Sequence, residues 1–489
     1  MDYQYVYIVY VRDTGPKAKK DSGAIKKVYY YGQPAQVKPP DDGCGVVVLF
    51  TARRFDDTRR FRIEEGRLIE AKVRTKFVKS RFAGDGTGGE ERRLDIVLVS
   101  DRTDDPTGFG TQMGFLYRGL SAKGHNIHAL HFDEADNLLN LRFDWVISLG
   151  DYYQVSRLAA MGEEVAKRWI HWLPISSDDI EEGFWRRISQ PSDDAPPPRH
   201  IVAMSQFGMR ALMKRGLSNV SCVPHGIEMD VFKPLLMHDV DTLRREHMVD
   251  GHFVVIFVGR NTKRKRVDHL LTIFAKMLQA TGNGAKIKFI LKTEEKYSHI
   301  SVTEFAASLD AEFGTNLKDH YLLFDEKLMA KQLNELYNMA HVGISATGGE
   351  GFGLTTLECV AAGVPVIIGR HSTSEEILND TGQAGSLIDI EASETDNPSG
   401  VEVARAIMSV AQAVDVLLEF YKLWESGQTP NRRVVRAQVA GRYGVSTMVD
   451  LWDNLLIDLA LGEDDEDGAS PASYRRMTDL QDPISLPEI

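Results

Sequence analysis

The segment HVGISATGGEGFGLTTLECVAAGVPVIIG, residues 341–369, carries the clearest signal of the fold. An apolar strand runs into a glycine-rich turn, a helix starts near Leu354, and a second apolar strand closes the unit, which is the order of a parallel sheet covered by helices. Four glycines let the turn backbone approach a ligand closely: Gly348, Gly349, Gly351 and Gly353. The free amide groups at the start of the helix favour negative charge, so the segment predicts an anion site.

Two glutamates narrow the choice of ligand. Glu350 lies within the turn, and Glu358 follows eight residues later, about one helical turn beyond Leu354. Carboxylates repel phosphate, so beside an anion site they are suited to accept hydrogen bonds from hydroxyl groups. A ligand that carries both phosphates and sugar hydroxyls satisfies the whole segment.

A second polar cluster lies in FVGRNTKRKRVDHLL, residues 257–271. Arg260 leaves an apolar strand, and four cations follow at residues 263–266, before the apolar face of the next helix. This position is the carboxyl edge of a parallel sheet, where open α/β sheets bind their ligands. A guanidinium and an ammonium suit a diphosphate, and we expect both clusters to face one cleft.

Apolar strands alternate with helical patterns on both sides of these clusters, in two sets separated near residues 232–250. The sequence therefore predicts an α/β protein with two doubly wound, Rossmann-like domains, residues 94–235 and 236–447. The first set of predicted strands is 95–101, 145–150, 169–174, 200–205 and 220–226. The second set is 253–259, 286–292, 321–325, 341–346 and 364–369. Leucines spaced four residues apart predict a helix at 448–461 that crosses back to the first domain.

Residues 1–93 differ from the rest of the chain. Bursts of β-branched and aromatic residues between Gly, Pro and Asp clusters predict a small all-β module, followed by a glycine-rich linker at 83–91. The segment has 20 basic and 13 acidic residues, a net charge of +7, whereas the whole chain carries −12. Lys72, Arg74 and Lys76 share one strand face, which suits either a solvated edge strand or contact with a glycan, a nucleic acid or a partner.

Composition excludes several classes of protein. The chain has no apolar run long enough for a membrane span and no signal-peptide pattern at its start. Three widely spaced cysteines favour neither disulfides nor a metal site, so we expect a cytoplasmic location. The net charge argues against a protein that coats nucleic acid, although the basic module keeps such contact open. Residues 462–489 are predicted to be an acidic, disordered tail.

Five segments resemble, in the family's order, the retaining glycosyltransferases of the two-Rossmann-domain type (GT-B), and specifically the large family 4 that uses nucleotide-diphosphate sugars. GEGFGLTTLE at 349–358 is similar to the family's motif of two glutamates separated by seven residues, and AAGVPVI follows it. The others are VGRNTKRK at 258–265, VPHGIEMDVFKP at 223–234 and DPTGFGTQ at 105–112. The resemblance covers residues 94 to 461, and therefore neither the β module nor the tail.

The resemblance implies a role for each matching residue. Arg260 and Lys265 would hold the diphosphate in the second, donor domain, Glu358 the ribose hydroxyls, and Glu350 the transferred sugar. The turn and helix start would contact the sugar or phosphate through Gly351, Phe352, Gly353, Leu354 and Thr355. Gly108 and Gly110, in the first, acceptor domain, would make room for the donor.

Two positions keep alternative interpretations. Many family members have a histidine after the strand that here reads WVISLGDYY, where this chain has Gly150 and Asp151. Asp151 either helps to position the acceptor or caps a helix. His225 is either a site residue or a loop residue satisfied by the backbone.

The implied activity is transfer of a hexose from a UDP- or GDP-sugar to a hydroxyl acceptor, with retention of configuration. The basic residues would neutralise the leaving group, and no metal-binding carboxylate pair stands at a suitable strand end. We therefore predict a metal-independent reaction without a cofactor other than the donor. The acceptor would be a glycan, a lipid-linked sugar, a protein or a small molecule. Two alternatives stay open, a nucleotide-sugar epimerase or phosphorylase of the same fold, and a non-catalytic glycan- or partner-binding protein.

Overall fold

The computed structural model describes residues 5–12, 28–31, 44–51, 60–64, 67–71, 93–105, 107–189, 196–295, 299–378 and 384–463. The chain divides into two compact units, Met1–Glu91 and Arg92–Ile489. Three predicted features lie outside the described residues. These are the basic strand face with Lys72, Arg74 and Lys76, the linker at 83–91, and the acidic tail from residue 464 onward.

The first unit contains five described strands. They are β1 (Tyr5–Arg12), β2 (Val28–Tyr31), β3 (Cys44–Thr51), β4 (Arg60–Glu64) and β5 (Arg67–Ala71). Strand β1 pairs antiparallel with β2 and β3, and β4 pairs antiparallel with β5. These strands fall on the alternating bursts of the sequence, while the identity of the whole segment as a separate module stays a prediction.

The second unit begins with a six-stranded parallel sheet in the order β11-β10-β9-β8-β6-β7. Its strands are β6 (Asp95–Ser100), β7 (Asn126–His131), β8 (Trp145–Leu149), β9 (Trp169–Leu173), β10 (His200–Ala203) and β11 (Val220–Cys222). The helices between them are α1 (Gly108–Ala122), α2 (Tyr152–Ala159), α3 (Glu163–Ala166), α4 (Glu182–Ser189) and α5 (Gln206–Lys214). The central strands β8, β9 and β10 are buried along their whole length, as expected for a sheet covered on both faces.

A second six-stranded parallel sheet follows, in the order β14-β13-β12-β15-β16-β17. Its strands are β12 (Phe253–Val258), β13 (Ile287–Lys292), β14 (Tyr321–Phe324), β15 (Val342–Ser345), β16 (Val366–Gly369) and β17 (Gly385–Ile388). The helices of this half are α6 (Met237–Glu246), α7 (Val267–Thr281), α8 (Val302–Phe313), α9 (Ala330–Met339), α10 (Leu354–Ala361), α11 (Ser374–Leu378), α12 (Val410–Glu425), α13 (Arg432–Ala440) and α14 (Val445–Glu463). None of the helices in the described ranges is both long and apolar enough to cross a membrane.

The two doubly wound sheets confirm the predicted fold class. In the second sheet the strand order is that of a dinucleotide-binding fold. Strands β13 and β14 are added on one side of β12, and the chain then crosses to add β15, β16 and β17 on the other side. A hairpin that was not predicted, β18 (Ile390–Asp396) with β19 (Val403–Met408), follows the second sheet. Strands β7 and β17 were also missed, because NIHALH contains two histidines and an asparagine and GSLI is short.

Local sequence explains where several helices begin. Ser and Thr side chains accept hydrogen bonds from the first free backbone N–H groups, which would otherwise lack partners. The capping residues are Thr107 before α1, Ser205 before α5, Ser301 before α8 and Ser409 before α12. Helix α8 ends at Gly314, whose φ of 67° suits a residue without a side chain.

Helix α14 packs against helix α1 of the first sheet. Val449 lies so close to Gly119 that a side chain at Gly119 would collide with it. Lys123 Nζ lies 2.8 Å from Asp450 Oδ1, and His125 Nε2 lies 2.8 Å from Asp453 Oδ1. The C-terminal helix thus returns to the first sheet after the chain has completed the second.

Candidate active site

The glycine-rich turn and the basic loop lie at the carboxyl ends of adjacent strands. The basic loop, residues 259–266, follows β12, and the glycine-rich turn, residues 346–353, follows β15. Strands β12 and β15 are neighbours and mark the reversal of chain direction in the second sheet. Open α/β sheets form a ligand crevice at such a point.

The glycines of the turn allow close contact with the first sheet. A Cβ on Gly351 would lie 2.8 Å from Cβ of Pro174, and one on Gly349 would meet the carbonyl oxygen of Ser176. Gly353 has a φ of 99° at the start of α10, a conformation that favours glycine. Larger residues at Gly349 or Gly351 would therefore collide with the loop of the first sheet that contains Pro174 and Ser176.

Glu350 is held by two cations of the basic loop. Lys265 Nζ donates to Glu350 Oε1 at 2.5 Å, and Arg264 Nη1 lies 2.9 Å from Glu350 Oε2. Glu350 is 9% exposed and Lys265 8% exposed. Burial alone would raise the pKa of Glu350, but the charges of Arg264 and Lys265 and their hydrogen bonds hold it well below its ordinary value. The carboxylate is therefore ionised at neutral pH.

Residues after β16 support the turn that carries Glu350. The backbone N–H of Glu350 donates to Ser372 Oγ at 3.1 Å. His371 Nε2 lies 2.7 Å from the carbonyl oxygen of Thr347, at the beginning of the turn. Arg264 Nη1 also donates to the carbonyl oxygen of Gly349, at 2.5 Å. The position of Glu350 is therefore fixed by contacts from two separate loops.

Arg260 differs from the other cations of its loop. Its side chain is exposed, and among the described residues it has no carboxylate within 4.0 Å. Lys263 and Arg266, by contrast, lie 3.9 Å and 2.8 Å from Oε1 of Glu394 in the β18–β19 hairpin. Arg260 is thus the cation of this loop that is free to meet an anionic ligand.

Glu358 lies on α10 beside a buried tyrosine. The Tyr337 hydroxyl donates to Glu358 Oε2 at 3.0 Å and also lies 3.1 Å from the carbonyl oxygen of Thr355. Burial raises the pKa of Glu358 to about 7, against the opposing effects of the Tyr337 hydrogen bond and the Lys265 charge. Glu358 therefore changes charge near neutral pH in the ligand-free protein.

Two predicted glycines of the first sheet, Gly108 and Gly110, lie in the first turn of α1. A Cβ on Gly108 would lie 3.5 Å from Cδ1 of Leu354, at the start of α10. Gly110 N–H donates to Thr107 Oγ1 at 3.0 Å, and a Cβ there would lie 2.5 Å from the carbonyl oxygen of Arg102. Gly110 thus has no room for a side chain beside the loop after β6, whereas a Cβ on Gly108 would make only an ordinary van der Waals contact.

Asp151 immediately precedes α2 and is exposed in the cleft. The walls of the cleft limit its hydration and raise its pKa, although the charges of Arg264, Arg260 and Arg405 oppose the shift. Its backbone N–H donates to Gln154 Oε1 at 2.9 Å. Asp151 therefore occupies a helix start and also faces the basic cluster, so both interpretations of this residue stand.

His225 lies in an aromatic environment. It is 3% exposed, and its ring centroid lies 4.7 Å from that of Trp172 and 5.1 Å from that of Phe352. Burial lowers the pKa of His225 to about 3, so the ring is neutral at physiological pH. Neither ring nitrogen has a hydrogen-bond partner in the part of the chain that the structure describes. His225 is thus not satisfied by the backbone there, contrary to one of its two interpretations.

The described side chains contain no group of three or more His, Cys, Asp or Glu residues arranged to hold a metal ion. The two glutamates of the predicted site have other partners. Glu350 is paired with Arg264 and Lys265, and Glu358 with the hydroxyl of Tyr337.

A known protein family matches the part of the chain that contains the second sheet. Residues 252–411 match the family described as "Glycosyl transferases group 1". We refer to these matched residues, 252–411, as the group 1 domain. The domain contains the basic loop, the glycine-rich turn and the β18–β19 hairpin.

A curated relative is similar to about a third of the chain. D-inositol 3-phosphate glycosyltransferase of Acidothermus cellulolyticus is 29% identical over 173 residues. The alignment covers 35% of this chain and 37% of that relative, so the match spans little more than a third of its length.

Solved structures resemble the chain far beyond the group 1 domain. Anabaena HepE in complex with UDP aligns with a TM-score of 0.56 at 14% identity, over 74% of this chain and 99% of that one. Sucrose-phosphate synthase from Thermosynechococcus elongatus aligns with a TM-score of 0.57 at 14% identity, over 76% and 100%. Together with the two parallel sheets, these likenesses show the GT-B fold.

Sequence reasoning missed several residues of the cleft. It assigned Lys265 to the ligand alone, whereas the structure pairs Lys265 with Glu350. Arg264, Tyr337, Ser372 and Arg405 were not assigned individually. In the sequence Arg264 is only one of four consecutive cations, and the other three residues lie outside every motif, so no spacing signal points to them.

Proposed function

We propose that this chain is a retaining, family 4-like glycosyltransferase that moves a hexose from a UDP- or GDP-sugar to a hydroxyl acceptor. The observation that carries the proposal is the pairing of Glu350 with Arg264 and Lys265 at the carboxyl edge of β12 and β15. Such a site offers cations for a diphosphate and a carboxylate for sugar hydroxyls within a few ångströms. The group 1 domain and the GT-B fold agree with it.

In the proposed reaction the bond between the sugar C1 and the diphosphate oxygen breaks, and a bond from C1 to the acceptor oxygen forms on the same face. The acceptor hydroxyl gives its proton to the leaving diphosphate oxygen. Arg260 and Lys265 stabilise the charge that develops on the diphosphate. Glu350 accepts hydrogen bonds from the sugar, and Glu358 accepts them from the ribose, with Gly108 and Gly110 leaving room for the donor.

Donor turnover tests this proposal and its metal independence. We expect release of nucleoside diphosphate from UDP-glucose, UDP-N-acetylglucosamine or GDP-mannose in the presence of a glycan or small-molecule acceptor panel. The rate is expected to be unchanged in EDTA, because side-chain cations take the place of a metal. Product analysis by NMR should show the anomeric configuration of the donor. Donor turnover that needs phosphate, or that yields an isomerised donor without acceptor, would favour a phosphorylase or an epimerase.

A second prediction concerns Glu358 and pH. Ribose hydroxyls donate to an ionised carboxylate, so binding of UDP is expected to tighten as pH rises through about 7, where Glu358 loses its proton. In the ligand-free protein the raised pKa has the opposite effect. The contribution of Glu358 to the free energy of unfolding is fully present below pH 4.5, its pKa in the unfolded chain, and is lost as pH rises through its folded pKa of about 7.

Glu358→Gln separates these effects from the titration of UDP itself. We expect the variant to bind UDP more weakly than the wild type at pH 8, and its own pH dependence between pH 6 and 8 to be shallower. Its Tm relative to the wild type should rise from pH 5 to pH 8. Calorimetry and thermal unfolding measure the two quantities. If UDP affinity changed with pH equally in the two proteins, Glu358 would not be a ribose-binding residue.

Several parts of the proposal concern the chain beyond the cleft. We propose that the first sheet holds the acceptor and the second the donor, that no cofactor besides the donor is needed, and that the protein acts in the cytoplasm. Contact of the basic N-terminal segment with an acceptor glycan, a partner or nucleic acid stays a prediction. Salt-dependent binding of the full chain, compared with a chain that lacks residues 1–91, would test it.

A further inference from the structure

The β18–β19 hairpin lies between the two sheets and is anchored in both. Val403, at the start of β19, belongs to the apolar cluster of the first sheet, together with Ile175 and Ile180. Met408, at the end of the same strand, belongs to the cluster of the second sheet. One six-residue strand therefore has an end in each core.

Backbone hydrogen bonds join the hairpin to the loop after β9. Ile180 forms an antiparallel bridge with Val403. Glu181 N–H donates to the carbonyl oxygen of Glu402, and Ala404 N–H donates to that of Asp179, both at 2.9 Å. The first sheet thus contributes a short extra strand segment to the hairpin of the second.

Arg405 lies between these two anchors and is 5% exposed. Its Nη1 donates to Ser176 Oγ at 2.8 Å, in the first sheet's loop, and its Nε lies 3.4 Å from Asp396 Oδ2 in its own hairpin. A planar guanidinium can make both contacts at once because its donors are fixed in a fork.

The hairpin also supports the turn that carries Glu350. Ala406 N–H donates to the carbonyl oxygen of Gly348 at 3.0 Å, and a Cβ on Gly348 would lie 3.0 Å from Cβ of Arg405. A Cβ on Gly349 would lie 3.4 Å from Nη1 of Arg405. Arg405 therefore packs against both residues that precede Glu350, with its Cβ beside Gly348 and its guanidinium beside Gly349.

We propose that Arg405 is a positioning residue for the sugar-transfer step, and that the hairpin uses it to fix the Gly348–Glu350 turn against the first sheet. Arg405 acts through the turn and is not itself part of the diphosphate site, because its donors are directed to Ser176 and Asp396. Loss of Arg405 leaves Arg260 and Lys265 in place but lets Glu350 shift. A small misplacement of a catalytic group lowers the rate of chemistry more than it lowers binding.

This inference rests on the proposed glycosyl transfer and is tested by kinetics on the full chain with UDP, GDP and the three donors named above. Arg405→Met is expected to lower kcat about 10- to 100-fold, while KM for the donor and Kd for UDP or GDP change by no more than about twofold. Arg405→Lys keeps the charge without the fork and is expected to recover part of kcat. Ser393→Ala, exposed on the same hairpin, is the control and should behave as the wild type.

A second variant keeps the test informative should Arg405→Met fail to fold. Ser176→Ala removes the partner in the first sheet and is expected to lower kcat about threefold to tenfold with donor binding intact. The double variant should be no slower than Arg405→Met, because both substitutions break the same contact, the one between Arg405 and Ser176. Wild-type kcat in either single variant, or equal losses of kcat and nucleotide binding, would overturn the positioning role.

The two proposals fail in distinguishable ways. If the wild-type protein neither binds UDP or GDP nor consumes any donor, the proposed function fails and the role of Arg405 in it fails too. If the wild-type protein consumes a donor and Arg405→Met does so at the same rate, only the positioning role is overturned.

Discussion

Glu350→Gln is expected to reduce sugar transfer about 100-fold or more while strengthening the binding of UDP or GDP. In the ligand-free protein Glu350 neutralises Arg264 and Lys265, so an incoming diphosphate must compete with this carboxylate. Glutamine has nearly the same shape but no charge, and it leaves both cations available. One charge-assisted contact corresponds to about 1.5–3 kcal/mol, hence an affinity gain of about tenfold to 100-fold.

The same substitution is expected to destabilise the ligand-free protein. Removing one partner of a buried ion pair leaves an uncompensated charge, which typically costs about 3–5 kcal/mol. UDP should therefore raise the Tm of the variant more than that of the wild type. Calorimetry, thermal unfolding and donor turnover together measure these effects.

Glu375→Gln provides the matched control for Glu350→Gln. Glu375 is an exposed carboxylate on α11, in the same half of the protein, and lies 3.3 Å from Arg370. Its replacement should leave turnover, UDP binding and Tm near wild-type values. Weaker binding of UDP by Glu350→Gln, or undiminished transfer, would show that Glu350 does not share the cations with a diphosphate.

Arg260→Ala is expected to produce the second large effect, a loss of UDP or GDP affinity of about tenfold to 100-fold. Arg260 is exposed and has no carboxylate partner among the described residues, so its charge is available to the ligand. Removing it should also slow donor turnover, because the leaving diphosphate would lose a stabilising charge. Arg260→Lys should restore part of the affinity, since it keeps the charge but not the bidentate fork.

Lys318→Ala is the control for Arg260→Ala. Lys318 is an exposed cation that precedes β14, at the opposite edge of the second sheet from the cleft. Its removal changes the net charge equally without touching the site. If Lys318→Ala and Arg260→Ala weakened UDP binding equally, the effect would come from overall charge and the diphosphate assignment would be wrong.

The fold could be predicted largely because its strands are continuous apolar runs. Segments such as FVVIFV and WVISL are buried on both faces, and continuous apolar runs of this kind are typical of a parallel sheet covered by helices. The β18–β19 hairpin could not be predicted in the same way. Its strand IEASETD carries polar residues at most positions, and its place is decided by contacts with residues 179–181 of the other sheet.

The site could be predicted in part because glycines and charges cluster within short motifs. Glu350, Glu358 and the cations 260–266 lie within two segments, and strand pairing brings those segments together. Tyr337, Ser372 and Arg405 lie outside the motifs, and each becomes relevant only through a contact made in the folded protein. The charge balance of the site was also hidden, since the sequence cannot show that Lys265 already has a carboxylate partner.

A crystal structure of the full chain with UDP or GDP is the sharpest test of the proposed donor site. We expect the diphosphate at the start of α10, with oxygens about 3 Å from the side chains of Arg260 and Lys265. The ribose should contact Glu358, and Glu350 should have moved away from at least one of its two cations. A diphosphate bound elsewhere, with the Glu350–Lys265 pair intact and Arg260 still in solvent, would show that the donor site is wrongly assigned.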